Sequence, residues 1–135
     1  MKLIYCLDKK KGLSLFGKRL SRDEVLYAYL VKTAQGAPFW MNTYSAGLFP
    51  EFEGKQVDDA FLQKAGEEDW CFVENIPCRG EMAKEIILCH WNRQYPADVF
   101  FTEDLKALGF ARVLKEDLVG KSHDKITVEH YRRKE

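Results

Sequence analysis

The sequence predicts an α/β fold in which helices flank a central β-sheet, and three observations carry that reading. Short apolar runs of strand character alternate with helical stripes, separated by brief loops. A capped helix follows the first strand and a basic loop, and the last third of the chain is rich in strands with little helix between them. With 135 residues, 46% hydrophobic and 13% aromatic, the chain suits one domain spanning residues 1–135.

Residues 2–7 read as a buried first strand, and Asp8 to Arg19 as a basic loop with flexible points at Gly12 and Gly17. Ser21 and Glu24 have the spacing of a capping box, so a helix is expected from Arg22 to about Ala34, stopped by Gly36 and Pro38. Its apolar stripe is Val25, Leu26, Tyr29 and Leu30. Phe39 to Met41 is a short strand, after which Asn42 or Thr43 can cap a brief helix through Leu48. The stretch from Phe49 to Lys55 reads as loop, Asp58 as the cap of a helix closed by Gly66, and Trp70 to Val73 as a strand ending at Glu74 and Asn75. Glu85 to Arg93 is a strand covered on both faces, interrupted at Tyr95-Pro96-Ala97. Thr102 can cap a helical turn ended by Gly109; Phe110 to Leu114 is a strand, and Ile126 to Arg133 is the last one, after the loop from Gly120 to Asp124.

Twenty-one basic residues balance 21 acidic ones, so net charge points to neither nucleic acid nor an anionic membrane. Cys6, Cys71, Cys78 and Cys89 form no Cys-x-x-Cys pair, which favours buried thiols in a reducing compartment over disulfides or zinc. The apolar start ends at Asp8, too short for a signal-peptide core or a membrane span, and a cytoplasmic protein is expected. His90, His123 and His130 lack any metal-ligand spacing, so no metal site is predicted. Cys89 and His90 are strand neighbours facing opposite sides, which argues against a thiol dyad. The basic cluster Lys9, Lys10, Lys11, Lys18, Arg19 and Arg22 can steer a phosphate or simply be solvated.

Asp23 is the residue with most chemical promise. It stands in the first turn of the predicted helix, at the end carrying partial positive charge and beside an apolar stripe, where it either complements the dipole or projects into a cleft. Tyr27, one turn on, would wall such a cleft or sit as an ordinary aromatic at the core boundary.

The order of these pieces resembles the dihydrofolate reductase superfamily over about two thirds of the chain. Phe16 to Asp23 keeps the family's spacing from a leucine to the acid that opens the first helix, with Leu20 matching its second leucine. Met41-Asn42-Thr43 stands for the family's methionine-glycine-arginine, and Ser45 for a threonine that touches the cofactor. Asp98-Val99-Phe100-Phe101 and the flanking strands match the family's closing third. The resemblance implies a central mixed sheet with a C-terminal antiparallel meander, in a shortened and divergent member. It implies Asp23 as the acid that pairs with a flat heterocycle such as an aminopyrimidine, lined by Leu20, Leu26 and Tyr27. It implies NADPH as cofactor, with Asn42, Thr43, Ser45, Glu74 and Asn75 in the cofactor positions.

The departures fall where chemistry is decided. Gly17-Lys18 replaces the family's proline-tryptophan, and Glu74-Asn75 replaces the glycine pair that lets backbone amides approach a pyrophosphate. The segment between Leu48 and Asp58 is expected to be too short for the strand that helps hold the adenosine end. Two functions are therefore expected: a nicotinamide-dependent reductase using Asp23, or a non-catalytic binding or interaction module on the same scaffold without dinucleotide binding.

Overall fold

The computed structural model describes residues 1–77 and 79–134, so the expectation for Cys78 lies outside the described residues. Strand β1 (Lys2–Leu7) lies inside a seven-stranded mixed sheet. On one side it pairs in parallel with β6 (Trp70–Phe72), followed by β4 (Phe39–Met41) and β5 (Lys55–Val57). On the other side it pairs in parallel with β7 (Glu85–His90), and then come the antiparallel β10 (Ile126–Arg133) and β9 (Phe110–Leu118). A small second sheet holds β2 (Gly12–Leu15) between β3 (Lys18–Arg19) and β8 (Val99–Phe100).

Strand alternation divides the apolar residues between two cores. Ile4, Phe72, Ile87, Cys89 and Val128 face α1 (Glu24–Ala34), whereas Leu3, Tyr5, Cys71, Ile86 and Leu88 face α3 (Phe61–Lys64) and the loop carrying Phe101 and Leu105. Burial on both faces explains why β1 and β7 read as continuous apolar runs rather than alternating ones. On the α1 side an aromatic cluster of Tyr27, Phe39, Phe49 and Phe72 fills the space, with ring centroids 5.2–5.9 Å apart.

Several elements depart from the sequence reading for identifiable reasons. The first helix is capped by Asp23, whose side chain accepts from the Val25 amide, and not by Ser21. Its buried stripe is Leu26, Tyr27, Leu30 and Ala34, the i, i+1, i+4 and i+8 positions of one helical face, and Val25 falls at its margin and is exposed. The basic loop contains the β2–β3 hairpin, organised by buried Asp8, which accepts from the amides of Lys10, Gly12 and Tyr95. The segment expected to be too short for a strand does form β5, three residues parallel to β4. Asn42 caps α2 (Thr43–Ala46), while Asp58 accepts from Ala60 without capping α3 directly. Residues 105–109 form turns where a capped helical turn was expected, and β9 runs on to Leu118 through its pairing with β10.

Asp23 also ties the helix to the turn before β10. Its carboxylate accepts from the amides of Lys121 and Ser122, the Ser122 hydroxyl and His123 Nδ1, and its side chain has no solvent exposure. Burial alone would raise its pKa, but these donors outweigh it and hold the carboxyl well below the usual range. The sign follows: a group depressed on folding contributes stability above its unfolded pKa of about 3.9 and loses it as pH falls through the folded value. Asp23→Asn, which turns an amide NH₂ toward these donors, should cost on the order of 3 kcal/mol at pH 7 in urea unfolding. That cost should shrink between pH 5 and pH 3, by about 1 kcal/mol or more; a gap independent of pH would show that the carboxylate is not what the loop depends on.

Candidate functional site

An open cleft of about 980 Å³ lies between α1 and the segment from Gly47 to Phe52. The sequence places it there because α1 presents small or apolar residues outward on the turns facing α2: Tyr27, Ala28 and Val31 form one wall. Leu48, Phe49, Pro50 and Phe52 form the other, and Arg22, Glu24, Glu51 and Lys121 bring charge of both signs to the lining. A mainly apolar cleft with few polar groups is the usual form of a small-molecule site.

Tyr27 belongs both to the cleft lining and to the aromatic core, where its ring tilts against Phe49 at 5.4 Å and meets Phe72 edge-on at 5.9 Å. Its hydroxyl is buried without a hydrogen-bond partner, and burial pushes the phenol well above its ordinary range. An unpaired buried hydroxyl is costly, so this atom is a donor awaiting an acceptor. Leu26 is fully buried behind it in the core, and Leu20 instead lines a smaller hollow of about 300 Å³ under the β2–β3 hairpin with Leu15, Phe16, Tyr95 and Pro96.

Asp23 stands at the end of the larger cleft. Five donors, including the Val25 amide, converge on its two oxygens at 2.9–3.2 Å, which fills the carboxylate's accepting capacity of about four lone-pair sites. Gly120 permits this approach: a Cβ there would lie 2.5 Å from Asp23 Oδ2 and 2.8 Å from the His123 carbonyl.

The residues expected at a cofactor site gather at the carboxyl ends of β4 and β6, the edge of a parallel sheet where ligands commonly bind. Glu74 is buried there, its Oε2 taking Arg19 Nε at 2.8 Å and its Oε1 taking Arg19 Nη2 at 3.0 Å and the Ser45 hydroxyl at 2.8 Å. Asn42 donates to Asn75, and Asn75 donates to the Gly17 carbonyl at 3.0 Å. The Arg19 guanidinium lies 4.2 Å over the Tyr44 ring while the Tyr44 hydroxyl accepts the Arg19 amide. Thr43 is set apart, its amide bonded to Asp59. The hairpin is thus fastened by a two-point ion pair and two hydrogen bonds involving amides over the carboxyl ends of β4 and β6.

Sequence reasoning missed Arg19 as a member of this cluster, because only a partner 55 residues away distinguishes it from the lysines around it. It also missed Tyr95, Trp91 and His123, which collect around Asp23 and Ser21: His123 is buried, stacks on Trp91 at 4.7 Å, and lies with Nε2 2.9 Å from Ser21 Oγ. Nothing local marks them. The thiols of Cys71 and Cys89 are buried, that of Cys6 partly so; burial pushes Cys71 up to about 12, and Cys6 rises through its hydrogen bond with Cys89 and through burial. Cys89 faces the α1 core while His90 bonds Glu129, so the two point apart as their strand positions require. Among the described residues no helix is long and apolar enough to cross a membrane, and no group of three or more potential ligands could hold a metal ion.

No family model and no curated protein matches the chain. Among solved structures it is similar to a dihydrofolate reductase from Enterococcus faecalis complexed with NADP(H) and the ligand RAB-propyl, at a TM-score of 0.68 and 11% identity. That likeness covers 99% of this chain and 96% of the other, so the fold is dihydrofolate-reductase-like throughout.

The Arg19–Glu74 pair makes an energetic prediction. Arg19→Ala strands a buried carboxylate and should lower stability by about 3 kcal/mol, the lower end for a buried pair because Arg19 keeps some solvent contact. Adding Glu74→Gln to that variant removes the stranded charge and should restore about 1 kcal/mol or more. Urea unfolding of the two single variants and the double variant checks this; a double variant no more stable than Arg19→Ala would mean the pair is not coupled.

Proposed function

We propose that the chain binds a flat, largely apolar small molecule in the cleft between α1 and the Gly47–Phe52 segment, on a dihydrofolate-reductase-like scaffold that does not use a dinucleotide. The single observation carrying this reading is the cleft itself: about 980 Å³, walled by Tyr27, Val31, Phe49 and Phe52. Aromatic and branched walls favour stacking on a planar ring. The charged lining residues, Arg22 and Lys121 against Glu24 and Glu51, suit a ligand of little net charge.

The residues at the ends of β4 and β6 do not fit a dinucleotide. A pyrophosphate needs open amides and positive potential, whereas Glu74 adds a buried negative charge whose oxygens already hold Arg19 and Ser45. Asn42 and Asn75 are engaged with each other and with the hairpin. No hydride transfer is derived through a nicotinamide on these grounds.

A second reading, reduction of a pterin-like heterocycle with Asp23 as the binding acid and NADPH as cofactor, draws support from the likeness to a reductase holding NADP(H) and from the position of Asp23 at the end of the cleft. It requires Asp23 to exchange donors of its own chain for those of a ligand, and the hairpin to release Glu74.

The two readings separate in one set of titrations. A panel of planar heteroaromatics, diaminopyrimidines included, should contain compounds that raise the melting temperature; at a hundred times Kd the gain is about 2.7 kcal/mol, or roughly 8–10 °C for a chain of this size. Ala28→Trp, which fills the cleft from an exposed position, should abolish the shift without lowering the melting temperature of the free protein. NADPH at 1 mM should leave melting and tryptophan fluorescence unchanged. A cofactor-dependent shift would favour the reductase reading, and ligand binding unaffected by Ala28→Trp would remove the cleft from consideration.

A further inference from the structure

Ser21, His123 and Asp23 form a linear relay that leads away from the end of the apolar cleft. His123 Nδ1 lies 3.0 Å from Asp23 Oδ2, and its Nε2 lies 2.9 Å from Ser21 Oγ. Because an ionised carboxylate can only accept, the Nδ1 nitrogen carries the proton shared with Asp23, and in the neutral form of the ring Nε2 is the acceptor for the serine hydroxyl. Trp91 stacks on the imidazole at 4.7 Å and 27°, fixing its plane. Asp23 and His123 are shielded from water, while Ser21 is only half-buried and therefore reachable.

We infer that Ser21, His123 and Asp23 constitute a nucleophile, general base and orienting acid able to cleave small carboxylic esters. A serine alcohol is a poor nucleophile until a positioned base removes its proton, and a base is effective when a buried anion holds its tautomer and stabilises the imidazolium. The constellation is recognised by mutual geometry, since its members are spread over 102 residues of chain.

The surroundings set the substrate class. Leu20 precedes the nucleophile in the chain, and the Tyr95 hydroxyl donates to Ser21 Oγ at 3.2 Å; both residues line the hollow of about 300 Å³ formed with Leu15, Phe16 and Pro96. That hollow is small and apolar, sized for a short acyl group, with Lys18 and Arg19 also lining it. In the reaction Ser21 Oγ bonds to the ester carbonyl carbon as its proton passes to His123 Nε2. Tyr95 supplies a hydroxyl donor to the oxyanion. Collapse breaks the bond between carbon and the leaving alcohol oxygen, which takes the proton from Nε2. Water then attacks the acyl-serine by the same route, releasing the carboxylic acid and restoring the hydroxyl.

The test uses the full chain with a fluorophosphonate probe, which forms a P–O bond to an activated serine and releases fluoride, and with p-nitrophenyl butyrate. One label per chain should appear on the peptide containing Ser21, with steady release of p-nitrophenol. Ser21→Ala, at a half-buried position ahead of the helix, should lose both signals at an unchanged urea midpoint. Unfolding the native protein in urea should also abolish labelling, because only the fold brings His123 to Ser21. Absence of label on the folded protein, label on another residue, label retained in Ser21→Ala, or equal labelling of folded and unfolded chain would each overturn the assignment.

Discussion

The burial of one carboxylate organises the functional half of the molecule. Asp23 starts α1, and an unpaired charge in that position would be intolerable in a low-dielectric setting. The chain answers with amides from the turn at Lys121 and Ser122, a hydroxyl and an imidazole, all arriving from the far end of the sequence. The same contacts that discharge the desolvation cost also fix where α1 lies on the sheet, where the turn before β10 closes, and which way His123 faces. Gly120 is the steric counterpart of this arrangement, since any side chain there would collide with the carboxylate.

A second buried carboxylate, Glu74, does the equivalent work on the other side of α1. At the end of β6 this chain places an acid and neutralises it from within with Arg19 and Ser45. Glu74 at the end of β6 thereby acts as a clasp for the hairpin. The two acids act alike physically, each forcing distant donors inward, yet their consequences differ: one assembles a polar relay, and the other closes a surface. Between them the outward face of α1 remains free to line the apolar cleft.

Much of the architecture was legible in the sequence because it depends on local periodicity. The apolar runs of β1, β6 and β7 announce strands covered on both faces, and Asn42 before Thr43 announces a capped turn. The likeness in the order of elements anticipated a dihydrofolate-reductase-like sheet, and the fold agrees over nearly the whole chain. What misled was chemistry that several residues satisfy equally well by spacing. Ser21 and Asp23 are both good caps, and the choice between them falls to Asp23 because Ser21 is engaged by His123 and Tyr95. Likewise β5 is too short to signal itself and exists because β4 offers it an edge.

By itself, then, the sequence determined the class of fold, the two-sided core and the presence of an acid at the opening of α1, all of which follow from patterns within a dozen residues. Tertiary structure alone decided what that acid does. Its donors lie about a hundred positions away, as does the histidine it orients, and the partner of Glu74 is 55 positions from it. Hydrogen bonds and ion pairs form between whichever groups the packed sheet brings within about 3 Å, and that proximity is a property of the folded chain which no spacing along it encodes.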